Sequence, residues 1–329
     1  MSYLFITTES HAKNSVAAEA FGFTEEKEAM PLEWQTKAIQ YHDAIKNADL
    51  VISLGQQTHP ALKSFVQAYA DNNKIKIVIQ QGTCGVTAGK LRQKLIDMGA
   101  YCCPVAASDR LPALEIHTIG IAPIGLLTHP ENPLTDVSID DARKVYQGNI
   151  TRWSQLPSDG QKLTEHAIQP VVRLHCKKRP GHWRSLLKNE DLFSPRIFEV
   201  GVVPDMIKQV ALNPFAIGYE TVYMLKVHKK NGVLKTLSIN GLKATDLNST
   251  ALGNYPIYRT YSLTTWKNDP NEQRTLALIK AIEIHIEKNT INLGIVPVSK
   301  LRANGWKFHE DELIAEPNGE PLAASSHNH

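Results

Sequence analysis

The sequence predicts an α/β fold built on a mainly parallel sheet, and three observations carry that expectation. From Asp49 onward, short apolar runs alternate with stretches of helical period: Leu50–Leu54 then a helix to Asn72, Ile75–Ile79 then a helix over Val86–Ile96. Each of these runs leads into a glycine-containing turn, at Gly55 and at Gly82 to Gly85. Finally, 329 residues of ordinary globular composition, 42% hydrophobic and 21% charged, can bury the core of one large domain or of two medium ones.

Composition also excludes some classes. A formal net charge of +3 leaves no coat of one sign, so neither nucleic acid nor a membrane surface is an expected partner. No apolar run is long enough to cross a bilayer. No basic stretch followed by an apolar one opens the chain, so no signal peptide is expected in it. The cysteines are Cys84, Cys102, Cys103 and Cys176. They are too few for a disulfide scaffold and fit no zinc-finger spacing, while an even number permits a disulfide in an oxidising compartment.

Taken in order, residues 1–49 carry no motif. Tyr3–Thr7 reads as a short strand, and Ser10–Glu19 and Pro31–Ala48 read as helices, Pro31 suiting a first helical turn. After Leu50–Leu54, the turn Gly55 to Pro60 enters a helix with Thr58 as N-cap and Pro60 just inside. Ile75–Ile79 reads as a buried strand. Ile119–Leu127 is a further apolar run, Ser138 caps a helix through Tyr146, and strand Pro170–Leu174 precedes a helix beginning after Arg184. Gln273–Lys288 is a long helix. The tail from Glu316, with its Pro, Gly, Ser and His, is expected to be disordered. His42, His117 and His285 read as surface or packing residues.

The stretch from Gln81 to Pro104 organises the rest. A strand that passes through a glycine turn (Gly82 and Gly85 permitting the bend) into a helix aims backbone N–H groups and the positive helix end at one point, which can hold an anion. Ligands of such sheets bind beyond the carboxyl ends of the strands. Three of the four cysteines lie at the two ends of this stretch.

A series of segments resembles a known family. Gly148-Asn149-Ile150-Thr151-Arg152-Trp153 is similar to the "G-K-I-T-x-W" of phosphate-type solute-binding proteins of ABC transporters. His129-Pro130-Glu131-Asn132-Pro133 resembles their "N-x-x-N-P", and Asn213-Pro214-Phe215-Ala216-Ile217-Gly218-Tyr219 their "x-P-G-A-I-G-Y". Ile239-Asn240-Gly241, Tyr255-Pro256-Ile257-Tyr258-Arg259 and Gly294-Ile295-Val296-Pro297-Val298 resemble "I-N-G-V", "Y-P-L-x-R" and "G-Y-V-P-L". The order is kept from Leu50 to Val298. The resemblance implies a two-lobed type 2 periplasmic-binding-protein fold, each lobe a mainly parallel sheet flanked by helices, with the ligand between the lobes. Residues 50–118 and 226–315 would form lobe 1, 119–225 lobe 2, and 1–49 an extension on lobe 1. Trp153, Ile217 and Tyr219 read as packing or hinge residues. The family also implies a periplasmic or extracellular monomer that serves membrane transporter subunits and is not an enzyme.

Four loops grip the oxyanion in that family. Thr58 matches the first, with His59 beside it, and Thr83 the second, with Cys84 and Gly85 beside it. The third loop's "Ser-Asp" or "Ser-Arg" pair is replaced by Tyr101-Cys102-Cys103. The fourth, "S-G-T", is absent, and Cys176 to His182 occupies its place. Three readings stay open. A soft-metal or iron–sulfur site would draw on Cys84, Cys102, Cys103, Cys176 and His175, whose thiolates and imidazoles suit Cu, Zn or a cluster. An anion site would use Thr58, Thr83, Arg173, Lys177, Arg179 and His182 with backbone N–H groups; the missing pair and "S-G-T" turn imply an anion other than simple phosphate, with a phosphate or oxyanion receptor whose cysteines are inert or joined as, for example, Cys84–Cys102, as the alternative. A cysteine-dependent enzyme, with a nucleophile at a helix start near His59 or His182, is the third.

Overall fold

The computed structural model describes residues 23, 25–158, 160, 162–174 and 181–322, the side chain of His182 excepted. The expected strand at Tyr3–Thr7 and helix at Ser10–Glu19 lie outside the described residues. In chain order the elements are α1 (Leu32–Thr36), β1 (Leu50–Gly55), α2 (Thr58–Asn73), β2 (Ile77–Gly82), α3 (Cys84–Arg92), β3 (Met98–Tyr101), β4 (Leu114–Thr128), β5 (Asp136–Val137), α4 (Ile139–Gln147), β6 (Gln169–Val172), β7 (Phe198–Glu199) and α5 (Val203–Leu212). They continue with β8 (Ala216–Thr221), α6 (Val222–Val227), β9 (Lys235–Ile239), α7 (Leu247–Ala251), β10 (Tyr258–Trp266), α8 (Glu272–Lys288), α9 (Thr290–Leu293), β11 (Val296–Pro297), α10 (Val298–Ala303), β12 (Lys307–His309) and β13 (Glu312–Ala315). The chain divides into two compact units. Unit 1 is Met1–Gly120, Thr260–Lys288 and Pro297–His329; unit 2 is Ile121–Arg259 and Asn289–Val296. The return to the first unit therefore falls at Thr260, and residues 226–259, expected in lobe 1, cluster with unit 2.

In unit 1, β1 lies between β2 and β3, parallel to both, and β10 runs antiparallel to β3. Central β1 is buried along its whole length, as a strand covered on both faces must be. Its one hydroxyl, Ser53, hydrogen-bonds Thr87 at 2.8 Å. Strand β2 is the sheet edge, and only Ile77 in it is buried, so the expectation of a buried strand fails. It also starts two residues late: the Ile75 N–H donates to the Ala70 carbonyl and Lys76 N–H to the Asp49 carboxylate, closing the exit of α2. Helix α2 buries Leu62, Val66 and Ala70 at four-residue spacing. Helix α3 lies against β3 at Gly99, where an added Cβ would come within 2.7 Å of Leu91 Cδ1 and Thr87 Cγ2.

Unit 2 repeats the scheme. Strand β6 pairs in parallel with β8 and β7, and β4 runs antiparallel to β8. Ser138 caps α4, accepting from Asp141 N–H at 3.0 Å, and left-handed Gly148 ends it. Helix α5 buries Val203, Met206, Ile207 and Val210. At Gly218 in β8 a Cβ would fall 2.7 Å from Met206 Sδ and Val210 Cγ2. Trp153 and Ile217 are buried in this core. The helix expected after Arg184 does not form; the segment makes only a 3-10 turn, His182–Ser185, and Trp183, Leu186 and Leu187 are buried.

The described part of the N-terminal extension docks on unit 1. Of the helix expected over Pro31–Ala48, only α1 and a 3-10 turn at Asp43–Ile45 form. Lys94 explains the difference: its carbonyl accepts from Gln40 N–H, while its ammonium donates to the carbonyls of Gln35 and Lys37 at 3.0 and 2.7 Å. Backbone groups that a helix would use internally are bonded to the unit instead. Further along, Tyr41 donates to buried Asp97 at 2.6 Å, as do Val51 N–H at 2.6 Å and the Asn271 amide at 3.0 Å. At the other end, Ala315 bridges Pro321, and Leu322 is buried. The tail is thus structured to Leu322, and residues 323–329 lie outside the described residues.

Two outcomes follow. Gly218→Ala and Gly99→Ala each force a methyl into helix side chains and are expected to cost about 1–3 kcal/mol in urea unfolding; unchanged stability would refute the close packing. Burial raises the Asp97 pKa against its three hydrogen bonds, so the folded state holds that proton more tightly than the unfolded chain. Its contribution is therefore most favourable at low pH and is lost as pH rises through the folded pKa. The unfolding free energy of wild type minus that of Asp97→Asn should fall as pH rises across that window; a flat difference would contradict it.

Candidate functional site

Strand register gathers three loops at one edge of unit 1. Gly55 pairs with Gly82, the last residues of β1 and β2, while Ile52 pairs with Met98 and Ser53 with Gly99. The carboxyl ends of β1, β2 and β3 are therefore in line, and the loops at 55–58, 82–84 and 101–103 leave the sheet side by side. Two of them open directly into α2 and α3, whose first turns leave backbone N–H groups without intrahelical acceptors.

The two threonines play different parts. Thr58 is not the N-cap: Gln57 holds that position in helical conformation with no side-chain cap. Thr58 is buried, and its hydroxyl accepts from Gly55 N–H at 2.9 Å, closing the loop on itself. Thr83 caps α3, accepting from Val86 N–H at 3.3 Å, and is exposed, as is Gly85 behind it. His59 is half-buried; burial, then the neighbouring Lys63 charge, push its pKa down, so it is poorly suited to hold an anion as imidazolium. Tyr101 is buried at the end of β3.

Cys84, Cys102 and Cys103 are buried thiols. Cys84, the first residue of α3, brings its Sγ to 3.4 Å from that of Cys102. Among the described residues no group of three or more His, Cys, Asp and Glu is placed to hold a metal ion. His175, Cys176, Lys177 and Arg179 lie outside the described residues, as does the His182 side chain, so the metal reading finds no support there.

Arg173, expected to reach an anion, is occupied in unit 2. It follows β6 as a buried residue, and its guanidinium pairs with Glu220 at 3.1 Å. Arg259 lies 3.8 Å from the same carboxylate, which also accepts from Thr221 N–H at 2.8 Å. Tyr219 accepts from Arg173 N–H at 3.0 Å, so it too belongs to this buried set.

Two features escaped the sequence. His117 Nε2 is 2.8 Å from Thr265 Oγ1, and its Nδ1 is 3.0 Å from Asp311. This hydroxyl–imidazole–carboxylate line has the layout of a nucleophile relay, but Thr265 is fully buried, so the line serves as an internal tie. No spacing rule joins positions 117, 265 and 311. The second is a cavity of about 480 Å³ in unit 1, lined by Phe23, Lys27, Arg110, His309 and Glu312 among others. Arg110 pairs with Glu312 at 2.6 Å and His309 lies against Glu25, and the cavity shares no residue with the three loops.

The chain belongs to the PBP superfamily: the family's domain model, PBP_like_2, matches residues 40–278. Among curated proteins it is similar to the phosphate-binding protein PstS of Bacillus subtilis (strain 168), 23% identical over 274 residues that cover 79% of this chain and 85% of that one. Among solved structures it is similar to an ABC-type phosphate transport receptor from Vibrio cholerae, with a TM-score of 0.59 at 16% identity, covering 75% of this chain and 99% of that one. PstS from Borrelia burgdorferi gives a TM-score of 0.50 at 17% identity over 75% of this chain and 98% of that one. The two-lobed α/β class and the resemblance to phosphate-type solute-binding proteins hold on these grounds.

Glu220→Gln leaves two buried guanidinium groups facing a neutral amide and is expected to cost about 3–5 kcal/mol in denaturant unfolding. A loss below about 1 kcal/mol would mean that the Arg173 pair is solvated.

Proposed function

We propose that this protein is an oxyanion receptor of an ABC-type importer, with phosphate, the ligand of the similar proteins named above, as the first anion to test. The observation that carries this reading is the register Gly55↔Gly82, which sets the starts of α2 and α3 side by side at the carboxyl edge. Two helix N-termini there present N–H donors and positive dipole ends to a negative ligand. Exposed Thr83 and Gly85 stand at one of them. Thr58 and His59 contribute position more than charge. On the same reading the protein works as a monomer in the periplasm or outside the cell and delivers its ligand to membrane transporter subunits. Among the described residues no helix is long and apolar enough to cross a membrane.

Thermal unfolding with phosphate, sulfate and other oxyanions tests this. At a ligand concentration of 100 Kd the stabilisation is about 2.7 kcal/mol, which moves Tm by several degrees. Gly85→Glu adds a carboxylate in the first turn of α3, where it suits the helix dipole but repels an anion. It is expected to keep basal stability and lose the anion shift. A folded wild type that no oxyanion stabilises, or a shift untouched by Gly85→Glu, would defeat the proposal.

A further inference from the structure

We infer that Cys84 and Cys102 form a redox-modification site, a dithiol that a small hydroperoxide closes to a disulfide and a dithiol reductant reopens. The sulfurs lie 3.4 Å apart across two loops of unit 1 and are buried, at 5% and 4% exposure. A disulfide needs about 2.05 Å between sulfurs, so the pair has little more than an ångström to close. The approach is built by the scaffold. Gly99 lets α3 lie close on β3, which brings the first residue of the helix opposite the residue just after the strand. Cys84 also opens a nine-residue helix, where the dipole favours a thiolate.

The chemistry balances within this pair. The thiolate sulfur of one cysteine attacks a peroxide oxygen; the O–O bond breaks, and the leaving hydroxide takes a proton and departs as water, giving a sulfenic acid. The second sulfur, giving up its proton, attacks the sulfenic sulfur; the S–O bond breaks, the S–S bond forms, and a second water leaves. The two thiols lose two electrons, and the peroxide is reduced to two waters. A dithiol returns those electrons by exchange through a mixed disulfide. The bond would tie the turn carrying Thr83 and Gly85 to the loop after β3. A redox effect on anion binding is therefore expected, and that part alone rests on the proposed function.

Peptide mapping after differential alkylation of the full chain, reduced and then treated with hydrogen peroxide, tests the inference without any ligand. The expected result is a Cys84–Cys102 cross-linked peptide that dithiothreitol removes. Cys103→Ser should keep it, and Cys84→Ser and Cys102→Ser should each lose it; if either Ser variant fails to fold, the wild-type map decides. Both thiols fully alkylated after oxidation, irreversible sulfinic acid, or a bond to Cys103 or Cys176 would overturn it. A mapped, reversible bond in a protein that no oxyanion stabilises in either redox state supports the redox site and defeats only the anion reading.

Discussion

The spacing between α3 and β3 governs what unit 1 can do. Position 99 has no side chain, and a Cβ there would meet Leu91 and Thr87 at 2.7 Å, so the helix rests nearly on the strand backbone. Ser53 of the neighbouring strand then reaches Thr87 at 2.8 Å, which adds a directional bond to close packing. Everything at the carboxyl edge inherits this spacing. Cys84 opens the helix opposite Cys102, and Thr83 is left at the rim as the cap. Unit 2 uses the same device at Gly218 beneath Met206 and Val210. Interiors packed this densely do not absorb an extra methyl group without displacement.

Buried polar groups complete each unit in its own way. In unit 1, Asp97 accepts from Tyr41, Val51 N–H and Asn271, linking the N-terminal extension, β1 and the segment leading into α8. In unit 2, one carboxylate, Glu220, sits with Arg173 and Arg259. Ion pairs withdrawn from water regain their desolvation cost only through good geometry and additional hydrogen bonds; Thr221 N–H gives Glu220 one of these. Arg173 illustrates the consequence for function. An arginine following a strand in an anion-binding family invites a ligand role, yet its guanidinium has an internal partner.

The candidate edge was legible in part. The glycine turns, the helix starts and the thiols at both ends of the 81–104 stretch were visible because they are local and carry strong chemical signatures. The threonines were visible as hydroxyls but not by role: Thr58 closes its own loop and Thr83 caps α3, a distinction set by backbone angles at Gln57 and Thr83. The relay at His117, Thr265 and Asp311 was invisible, since its members are far apart in the chain and belong to no motif. The metal expectation counted cysteines by loop, and loop membership does not fix which sulfurs meet.

By itself the sequence determined the α/β alternation, the long helix near Gln273–Lys288, the Ser138 cap and the family, because each follows from periodicity, turn chemistry or ordered short motifs. Only the tertiary structure decided that β2 is an edge, that residues 226–259 cluster with the second unit, that the segment at Pro31–Ala48 docks instead of coiling, and that Cys84 meets Cys102. The reason is physical. Local propensity acts over one turn of chain, whereas strand order, docking and side-chain pairing depend on which distant segments compete for the same backbone groups and the same space.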